Sequence, residues 1–487
     1  MANHTVPLRL LVDSLPQTGR VEGDPDTLIS AIETDSRRVR PGALFVALRG
    51  EHHDGHAFAE RAIDAGAVAV VSEGPIGGSS RVATVAVEDA RRALSAFSDV
   101  FFGRPSGALD VAGVTGTNGK TTTTHMIAAI CNAAGYPCGT IGTIGAEFRT
   151  TSWPLEHTTP LPNELHSILA EMRDDGARAV AMEVSSHALA LERVDDVRFR
   201  IAVLTNVTRD HLDFHQTFDA YAAAKRRLFD LAPSAVLNVD DELGAQWARE
   251  LESSGKSVTT YGLSENAAVR ATGVTVDSAA TRFFVDGTAF ELQMSGRFNT
   301  YNALAAVAVA RQFGIDDAGS AAALALIAGV RGRMERIAGA GIVAVVDYAH
   351  TPDALERALE ALRETTRGSL AVIFGCGGDR DRGKRPQMGA IAARFADRVY
   401  LTNDNPRGED PRAIVDQIVA GIDGARYAID LDRRHAIERA IDDARAGDTV
   451  LIAGKGHETY QIVGDRVLDF DDAAVAREAL RRRGPAE

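Results

Sequence analysis

A glycine-rich turn at residues 113–121 carries the residue types that bind nucleotide phosphates. It reads GVTGTNGKT, and it follows an apolar run and precedes a helical pattern. Glycines let backbone N–H groups approach phosphate oxygens, and the N-terminus of the following helix favours negative charge. Lys120 would then reach the β- and γ-phosphates, and the Thr121 hydroxyl would hold Mg²⁺. The turn predicts a site for ATP or a close analogue, although Val114 breaks the strict G-x-x-x-x-G-K-[ST] spacing.

The lysines of the chain are rare and unevenly placed. They supply only five of the 53 basic residues, and four of the five lie in motifs, at Lys120, Lys225, Lys384 and Lys455. Lysine is a compact charge that can lose its proton, whereas arginine remains a charged planar fork. The placement indicates chemistry that arginine does not supply, while Lys256, in a polar turn, is expected to be solvated.

Polar residues also follow two apolar runs in the middle of the chain. Glu183 lies in the run 177–184, and His211 follows the run 201–207. Ligands of open α/β sheets bind beyond the carboxyl ends of the strands, so both side chains are expected beside the phosphate loop. Either residue alone would be interpreted as a hydrogen-bonding group at a strand end. Together with a phosphate loop, a carboxylate and an imidazole favour a metal site.

Four polar clusters follow apolar runs in the last third of the chain. They lie at residues 347–352, 375–386, 404–407 and 453–458. A surface loop would explain any one of them. Four clusters at the ends of strands in one domain are better explained as one convergent site.

Apolar runs alternate with helical patterns along the chain, which predicts an α/β protein with mostly parallel sheets. Strands are expected at 43–48, 67–71, 177–184, 201–207, 235–239, 342–346, 370–374, 398–402 and 449–453. Helices are expected at 56–65, 218–229, 352–365, 385–395, 411–422 and 434–445. A chain of 487 residues should hold about three domains. We place them at residues 1–107, 108–335 and 336–487, with the second boundary at the polar segment 331–336.

Composition excludes several classes of function. The net charge of −14 argues against nucleic acid or anionic membrane as a partner. Three cysteines at unrelated spacings give neither a disulfide framework nor a zinc site, which suits a reducing compartment. We find no signal-peptide pattern at the N-terminus and no apolar stretch long enough to span a membrane. A cytoplasmic enzyme without membrane insertion is expected.

Taken together, these motifs resemble those of the Mur ligase family over essentially the whole chain. The matching segments are GTNGKT at 116–121, EVSSH at 183–187, NVTRDH at 206–211, DYAH at 347–350 and GKGHE at 454–458. DSR at 35–37 and PGALFVA at 41–47 resemble the uridine-nucleotide domain of the family. The chain is most similar to members that add meso-diaminopimelate to UDP-N-acetylmuramoyl-L-alanyl-D-glutamate.

The resemblance implies an architecture of three domains. A small N-terminal α/β domain would bind the UDP-linked substrate, a central parallel sheet like that of P-loop ATPases would bind ATP, and a C-terminal Rossmann-like domain would bind the amino acid. The protein is expected to be a monomer that uses Mg²⁺ and ATP.

The resemblance also assigns site residues. ATP would be held by Gly116, Thr117, Asn118, Gly119, Lys120, Thr121, Thr122, Asn302, Arg333 and Asp347. The muramoyl dipeptide would contact Ser36, Thr158, Thr159, Ser185 and Arg193. Diaminopimelate would contact Arg385, Asp404, Asn405, Pro406, Arg407, Gly454 and Glu458. Leu191 stands where the family often has glutamine, which puts one substrate hydrogen bond in question.

Lys120, Glu183, His211 and Lys225 are the catalytic residues that the resemblance implies. Lys225 alone would be interpreted as a solvated charge on a helix, but it matches the carbamylated lysine of the family, a modification that turns a cation into a carboxylate-like ligand. The metal would then be held by Thr121, Glu183, His211 and the carbamate of Lys225.

The implied chemistry is amide formation through an acyl phosphate, with Lys120 and Mg²⁺ spreading the charge on the transferring phosphoryl group. A Mur ligase that adds L-lysine and a folylpolyglutamate synthase-like ligase are alternatives that use the same chemistry. An ATP-driven switch is an alternative from another class, and it would hydrolyse ATP without an acceptor. A nucleotide-sensing scaffold is a further alternative, but it would leave the polar clusters at the strand ends unexplained.

Overall fold

The computed structural model describes residues 4–15, 19–50, 54–76, 81–277, 280–424 and 426–484, except the side chain of Asp213. The chain forms two compact units. The first comprises residues 1–115, 135–203 and 222–235, and the second comprises residues 116–134, 204–221 and 236–487. Helices pack on β-sheets in both units, as the α/β prediction requires.

The N-terminal segment forms a five-stranded sheet within the first unit. Its elements are β1 (Val6–Pro7), α1 (Leu8–Val12), β2 (Arg20–Glu22), β3 (Leu28–Ile29), β4 (Ala31–Glu33), β5 (Ala43–Val46), α2 (Ala59–Asp64), β6 (Ala67–Ser72), β7 (Ala83–Ala86) and α3 (Ala90–Phe101). The sheet order is β2-β7-β6-β5-β4, with only β2 antiparallel to its neighbour. Side chains of β5 alternate between two apolar cores, because successive residues of a strand face opposite sides.

The middle segment carries the phosphate loop between its first strand and first helix. Its elements are β8 (Asp110–Thr115), α4 (Lys120–Ala133), β9 (Cys138–Gly142), β10 (Gly145–Phe148), β11 (Thr151–Trp153), α5 (Pro162–Asp174), β12 (Ala179–Glu183), α6 (Ser186–Ala190), β13 (Phe199–Leu204), α7 (Leu212–His215), α8 (Phe218–Arg226), β14 (Ser234–Asn238), α9 (Glu242–Ser253), β15 (Ser257–Gly262), β16 (Val269–Val276), β17 (Thr281–Val285), β18 (Thr288–Leu292), α10 (Arg297–Gln312) and α11 (Asp317–Leu324).

Both units also contain antiparallel strands that the sequence patterns did not predict. In the first unit β12 pairs in parallel with β8 and β9, while β9, β10 and β11 pair antiparallel. In the second unit β15 and β16 are parallel, and β16, β17 and β18 form an antiparallel meander. Strands of the meander are buried on alternate residues only, so they lack the continuous apolar runs that identify the parallel strands.

The C-terminal segment lies entirely in the second unit. Its elements are β19 (Glu335–Gly339), β20 (Ile342–Asp347), α12 (Pro352–Thr365), β21 (Leu370–Phe374), α13 (Lys384–Phe395), β22 (Arg398–Leu401), α14 (Pro411–Val419), β23 (Tyr427–Ile429), α15 (Arg433–Asp443), β24 (Thr449–Ala453), β25 (Tyr460–Val463), β26 (Arg466–Asp469) and α16 (Asp472–Arg483). Its main sheet has the order β19-β20-β24-β21-β22-β23, and β25 pairs with β26 in a separate hairpin.

Helices cover both faces of this six-stranded sheet. Leu355, Met388 and Ile414 of α12, α13 and α14 pack on one face, and α15 and α16 pack on the other. Five neighbouring strands of this sheet are parallel, in the order β20-β24-β21-β22-β23. Their carboxyl ends therefore meet at one edge. The four polar clusters predicted from the sequence therefore do emerge at the same edge of one sheet.

Among the described residues, no helix combines the length and the apolar character needed to cross a membrane. Cys131, Cys138 and Cys376 are buried.

A buried ion pair joins α15 to α16 near the carboxyl ends of strands β22 and β24 of the six-stranded sheet. Arg433 and Asp472 are both fully buried, and two hydrogen bonds of 2.7 Å connect the guanidinium to the carboxylate. Arg433 also donates to the carbonyls of Asn403 and Ala453, which follow or end β22 and β24. The pair therefore holds the strand ends that carry the candidate site.

Asp472→Ala should lower the free energy of unfolding by about 3–5 kcal/mol, because it leaves a buried guanidinium without its counter-ion. Arg434 and Glu478 provide a matched control, since they join the same two helices but are half exposed. Glu478→Gln should change stability by less than about 1 kcal/mol. Urea unfolding monitored by circular dichroism checks both values, and equal effects of the two variants would contradict the role given to the buried pair.

Candidate active site

The phosphate loop is fixed by the segment that follows β13. The Thr117 amide donates to the Asn206 carbonyl (2.8 Å), and the Asn118 amide donates to Asn206 Oδ1 (3.0 Å). In return, Asn206 Nδ2 donates to the Asn118 carbonyl (3.1 Å), and Thr205 Oγ1 donates to the same carbonyl (2.6 Å). The loop backbone is therefore held in one shape before any ligand contacts it.

Two glycines of the loop are required by geometry. Gly116 has φ +147°, and a Cβ there would lie 1.9 Å from Thr205 Oγ1. Gly119 has φ +88° at the N-cap of α4, and a Cβ there would lie 2.4 Å from Asn302 Oδ1. Only glycine combines this backbone conformation with such close approach. The N-terminus of α4 consequently opens directly onto the loop.

Lys120 is the first residue of α4 and is half-buried. Its Nζ donates to the carbonyls of Gly116 (3.0 Å) and Thr117 (2.9 Å), so the ammonium group lies over the loop itself. An ammonium group in this position lies where the outer phosphates of a nucleotide would be bound by the helix N-terminus.

Three of the predicted ATP-binding residues from outside the loop lie around it. Arg333 Nη2 donates to Thr121 Oγ1 (3.0 Å), and the Arg333 guanidinium lies 4.6 Å from the ring centre of Tyr348. Asn302 accepts a hydrogen bond from Thr123 Oγ1 (3.4 Å). The Asp347 carboxylate accepts a hydrogen bond (2.7 Å) from the backbone amide of Met334, which is the residue next to Arg333. Burial raises the pKa of Asp347, and Arg333 opposes that shift.

His211 is the N-cap of α7 and has a left-handed backbone, φ +52°. Its side chain is 42% exposed, and its ring lies 6.2 Å from that of Tyr221. The Tyr221 hydroxyl lies 3.0 Å from Thr117 Oγ1, so His211 belongs to the surroundings of the phosphate loop. Burial raises the pKa of Tyr221, which keeps its hydroxyl protonated.

Glu183 ends β12 in the first unit and is 1% exposed. Its Oε1 accepts from the Thr143 amide (2.8 Å), and its Oε2 accepts from Thr143 Oγ1 (3.0 Å). Thr143 Oγ1 in turn lies 3.2 Å from Thr158 Oγ1. A carboxylate ordered in this way retains lone pairs that can bind a hard cation.

Four of the five predicted dipeptide-binding residues form one hydrogen-bonded cluster with Glu183. Thr159 Oγ1 donates to the Glu183 carbonyl (2.9 Å) and accepts from the Ser185 amide (3.1 Å). Arg193 Nη1 donates to the Thr159 carbonyl (3.0 Å), and Thr158 joins through its contact with Thr143. The fifth residue, Ser36, is 7% exposed in the N-terminal segment of the same unit, and its contact with the dipeptide remains a prediction.

Lys225 lies in the last turn of α8 and is 1% exposed. The solvated surface position that its helical pattern alone suggests is therefore wrong. Among the described residues, no three His, Cys, Asp or Glu side chains are arranged to hold a metal ion. The predicted set supplies one carboxylate, one imidazole and one hydroxyl, so it suits a hard cation if Lys225 carries the carboxylate-like carbamate.

The cluster at residues 404–407 is joined to the cluster after β24 by buried polar contacts. Asn405 Nδ2 donates to Glu458 Oε2 (2.9 Å), and Lys455 Nζ donates to Asn405 Oδ1 (3.1 Å) and to Glu458 Oε2 (3.0 Å). Lys455 is fully buried, and Asp404 is 9% exposed beside Gly454. Pro406 precedes Arg407 in the same turn. These predicted amino-acid ligands are close together.

Arg407 is held by the hairpin β25–β26. Its amide donates to the Ile462 carbonyl (3.2 Å), and its carbonyl accepts from the Gly464 amide (2.8 Å). Its backbone is left-handed, φ +50°, and its Nη1 donates to the Gly378 carbonyl (3.0 Å). Within the described part of the chain, Nε and Nη2 have no protein acceptor. Those two donors are available for a carboxylate.

Arg385 is engaged differently. It is fully buried, and it donates to Glu409 through both Nη1 (3.0 Å) and Nη2 (2.9 Å) and to Gln417 Oε1 (2.8 Å). These bonds from Arg385 lower the pKa of Glu409 to about 2. Direct contact of Arg385 with an amino acid remains a prediction, and its bonds favour a role in holding Gly377 and the segment around it.

Several residues of the site were absent from the predicted set. Thr143 orients Glu183, Tyr221 contacts the phosphate loop, and Glu409 holds Arg385. None has a sequence signal of its own, because a threonine after a strand and a tyrosine on a helix occur throughout globular proteins. Asn206 lies inside the NVTRDH motif, so its position beside a recognised segment was the available signal.

The chain matches known proteins along most of its length. Residues 28–101 match the domain described as "Mur ligase family, catalytic domain", residues 114–310 match "Mur ligase middle domain", and residues 332–456 match "Mur ligase, glutamate ligase domain". Among curated relatives, the UDP-N-acetylmuramoyl-L-alanyl-D-glutamate–2,6-diaminopimelate ligase of Syntrophomonas wolfei is 45% identical, covering 94% of this chain and 96% of that protein. The enzyme of the same name from Chlorobaculum tepidum is 47% identical, covering 91% of each chain.

Solved structures give the same result. A structure of a UDP-N-acetylmuramoyl-L-alanyl-D-glutamate–2,6-diaminopimelate ligase is 34% identical with a TM-score of 0.68, covering 98% of this chain and 99% of that one. The MurF ligase of Thermotoga maritima in complex with ADP shares the fold at 20% identity and a TM-score of 0.63, covering 93% and 96% of the two chains.

Proposed function

Because this chain belongs to the Mur ligase family, we propose that it joins meso-diaminopimelate to the D-glutamate γ-carboxylate of UDP-N-acetylmuramoyl-L-alanyl-D-glutamate at the expense of ATP. The reaction is a step in the synthesis of the peptidoglycan precursor. The chain has the three-domain α/β architecture of the family. Boundaries at residues 107/108 and 335/336 remain predictions.

The phosphate loop is proposed to seat the triphosphate of ATP. The Lys120 ammonium would turn from the carbonyls of Gly116 and Thr117 to bind the β- and γ-phosphates. Arg333 would approach from the side of Thr121. The γ-carboxylate attacks the γ-phosphorus, the bond to the β-phosphate oxygen breaks, and ADP leaves. Positive charge around the transferring group stabilises this step, because the phosphoryl oxygens carry the developing charge. The product is an acyl phosphate.

Mg²⁺ is proposed to be held by Thr121, Glu183, His211 and carbamylated Lys225. When bound, the ion would neutralise charge on the phosphate oxygens. Lys225 is buried rather than solvated, and the negative charge of a carbamate at that position would be compensated by a divalent cation. The Thr143 bonds to Glu183 would fix the orientation of that carboxylate.

The cluster around Asp404 and Arg407 is proposed to hold the incoming amino acid. Asp404 would bind an ammonium group, and the free donors of Arg407 would bind the distal carboxylate of diaminopimelate. The neutral amine attacks the acyl carbon, its nitrogen loses a proton to the departing phosphate, and the tetrahedral intermediate expels that phosphate to give the amide. Holding both reactants in one site supplies most of the gain in such a step.

One observation carries this proposal. A single compact unit contains both residues 116–121 of the phosphate loop and the sheet edge with the predicted amino-acid ligands, and Arg333 connects them by its bond to Thr121. A carboxylate-activating ligase needs this proximity of nucleotide and acceptor. We further propose a monomer in the cytoplasm, where ATP and a UDP-linked substrate are available.

A comparison of acceptors tests the proposal. With ATP and the muramoyl dipeptide present, kcat/KM for meso-diaminopimelate should exceed that for L-lysine by roughly 10⁴-fold, because lysine leaves the Arg407 guanidinium desolvated and unpaired. Product formation is measured by mass spectrometry of the UDP-linked tripeptide. Equal efficiency with the two acceptors would favour the L-lysine-adding alternative.

A further inference from the structure

Asp353 is a carboxylate of the C-terminal segment that contacts the phosphate loop. It is the second residue of α12, and its Oδ2 accepts from Asn118 Nδ2 (2.8 Å) and from Thr208 Oγ1 (3.1 Å). All three residues lie in the second compact unit. However, Asp353 comes from the segment that matches the glutamate ligase domain, whereas Asn118 and Thr208 come from the segment that matches the middle domain.

The two donors that meet Asp353 are themselves central to the loop. The Asn118 amide and carbonyl are bonded to Asn206, as described above, which leaves the side-chain amide to bond Asp353. The Thr208 amide donates to Thr117 Oγ1 (2.9 Å), and that hydroxyl donates to the Thr208 carbonyl (3.1 Å). Asp353 therefore contacts the phosphate loop through Asn118 and, through Thr208, the segment after β13 that holds the loop.

The Asp353 carboxylate is held in place by its own helix. Arg357, one turn later, lies 3.1 Å from both of its oxygens. Thr351 caps the helix by accepting from the Ala354 amide (3.3 Å), and an acidic residue in the first turn is favoured by the helix dipole. The helix follows β20, the strand that ends at Asp347. The position of the carboxylate is thus set by the sheet that carries the proposed amino-acid site.

We propose that Asp353 is a positioning residue that holds the phosphate loop in its productive geometry from the C-terminal segment. It acts through Asn118 and Thr208 and touches no substrate. The inference rests on the proposed function, because productive geometry means the geometry for phosphoryl transfer to the carboxylate. It couples the segment that binds the amino acid to the segment that binds ATP.

Substitutions at Asp353 test the proposal by separating kcat from KM. Asp353→Ala should lower kcat by roughly 10- to 100-fold, because a loop misplaced by a fraction of an ångström loses the transition state more than the bound nucleotide. KM for ATP should change by less than about threefold, since the nucleotide contacts themselves remain. Asp353→Asn retains an acceptor oxygen and should recover most of kcat.

Glu356→Gln is the matched control. Glu356 lies on the same helix, its side chain is 36% exposed against 31% for Asp353, and it pairs with Arg394 rather than with the loop. This variant should keep the wild-type kcat. If Glu356→Gln lowered kcat as much as Asp353→Ala, a general charge effect would replace the positioning role.

A double-mutant cycle with Asn118 adds a readout that a merely structural role would not move. In Asn118→Ala/Asp353→Ala the two losses of kcat should combine to less than their product, because Asn118→Ala already removes one of the two bonds that Asp353 accepts. Additive effects of the two substitutions would contradict the proposal.

Hydrogen exchange separates failure of this inference from failure of the proposed function. Backbone N–H groups of residues 116–121 should exchange faster in Asp353→Ala than in the wild type or in Glu356→Gln. This result is expected whether or not the wild type forms the UDP-linked tripeptide. Unchanged exchange in Asp353→Ala would overturn the positioning role. A wild-type protein that orders the loop through Asp353 but forms no tripeptide would overturn only the proposed function.

Discussion

Lys120→Ala should lower kcat/KM for tripeptide formation by roughly 10³-fold or more, because it removes the ammonium group that would stabilise the negative charge of the transferring phosphoryl group. The side chain already lies over the loop, with its Nζ on the carbonyls of Gly116 and Thr117. A steady-state assay of phosphate release with saturating dipeptide and diaminopimelate measures the effect. The folded state should change little, because the Lys120 side chain is half-buried and donates to the backbone carbonyls of Gly116 and Thr117.

Two further variants sharpen this test. Lys120→Arg keeps the charge but replaces a compact ammonium with a planar fork, so it should recover little activity. Lys256→Ala removes the lysine that lies outside the motifs and should leave activity unchanged. Activity of Lys120→Ala within about threefold of wild type would mean that this loop does not seat the phosphates of ATP.

The second large effect is expected at Arg407. Arg407→Ala should lower kcat/KM for diaminopimelate by roughly 10³- to 10⁴-fold, since two charge-assisted bonds to the distal carboxylate are lost together. ATP binding should change little, because Arg407 is held by Gly378 and by the hairpin β25–β26 rather than by the phosphate loop. Nucleotide titration and acceptor kinetics on the same preparation measure the two quantities separately.

Arg407→Lys provides the matched comparison for this position. A lysine keeps one positive charge but makes no bidentate contact, so activity should lie between that of the wild type and that of Arg407→Ala. The left-handed backbone of residue 407 is held by backbone bonds to the hairpin, so we expect both variants to keep it. Wild-type efficiency of Arg407→Ala with diaminopimelate would show that another residue recognises the distal carboxylate.

In the C-terminal segment the sequence predicted strands β20, β21, β22 and β24 and helices α12 to α15, but it did not predict β23 or α16. Helix α12 has the predicted bounds 352–365, and β21 and β24 have the predicted bounds 370–374 and 449–453. These elements are buried on regular faces, so their apolar periods are complete. The antiparallel strands from β16 to β18 are half exposed, and their weak alternation carries little signal of its own.

The motifs predicted the candidate site residues, but they did not give the contacts that those residues make in the structure. Lys225 shows the limit most clearly, since its helix pattern suggests a surface charge and the residue is 1% exposed. Its burial depends on tertiary packing, which local sequence does not encode. Asp353 and Glu409 act through residues far away in the chain, Asn118 and Arg385 among them, so no local pattern could identify them.

The most direct test measures tripeptide formation with each component omitted in turn. Purified protein should form the UDP-linked tripeptide and release phosphate only when ATP, Mg²⁺, the muramoyl dipeptide and meso-diaminopimelate are all present. Removing any one of them should reduce product to background. Phosphate release that continues without an acceptor, or tripeptide that forms without ATP, would contradict the assignment of this chain as an ATP-dependent ligase.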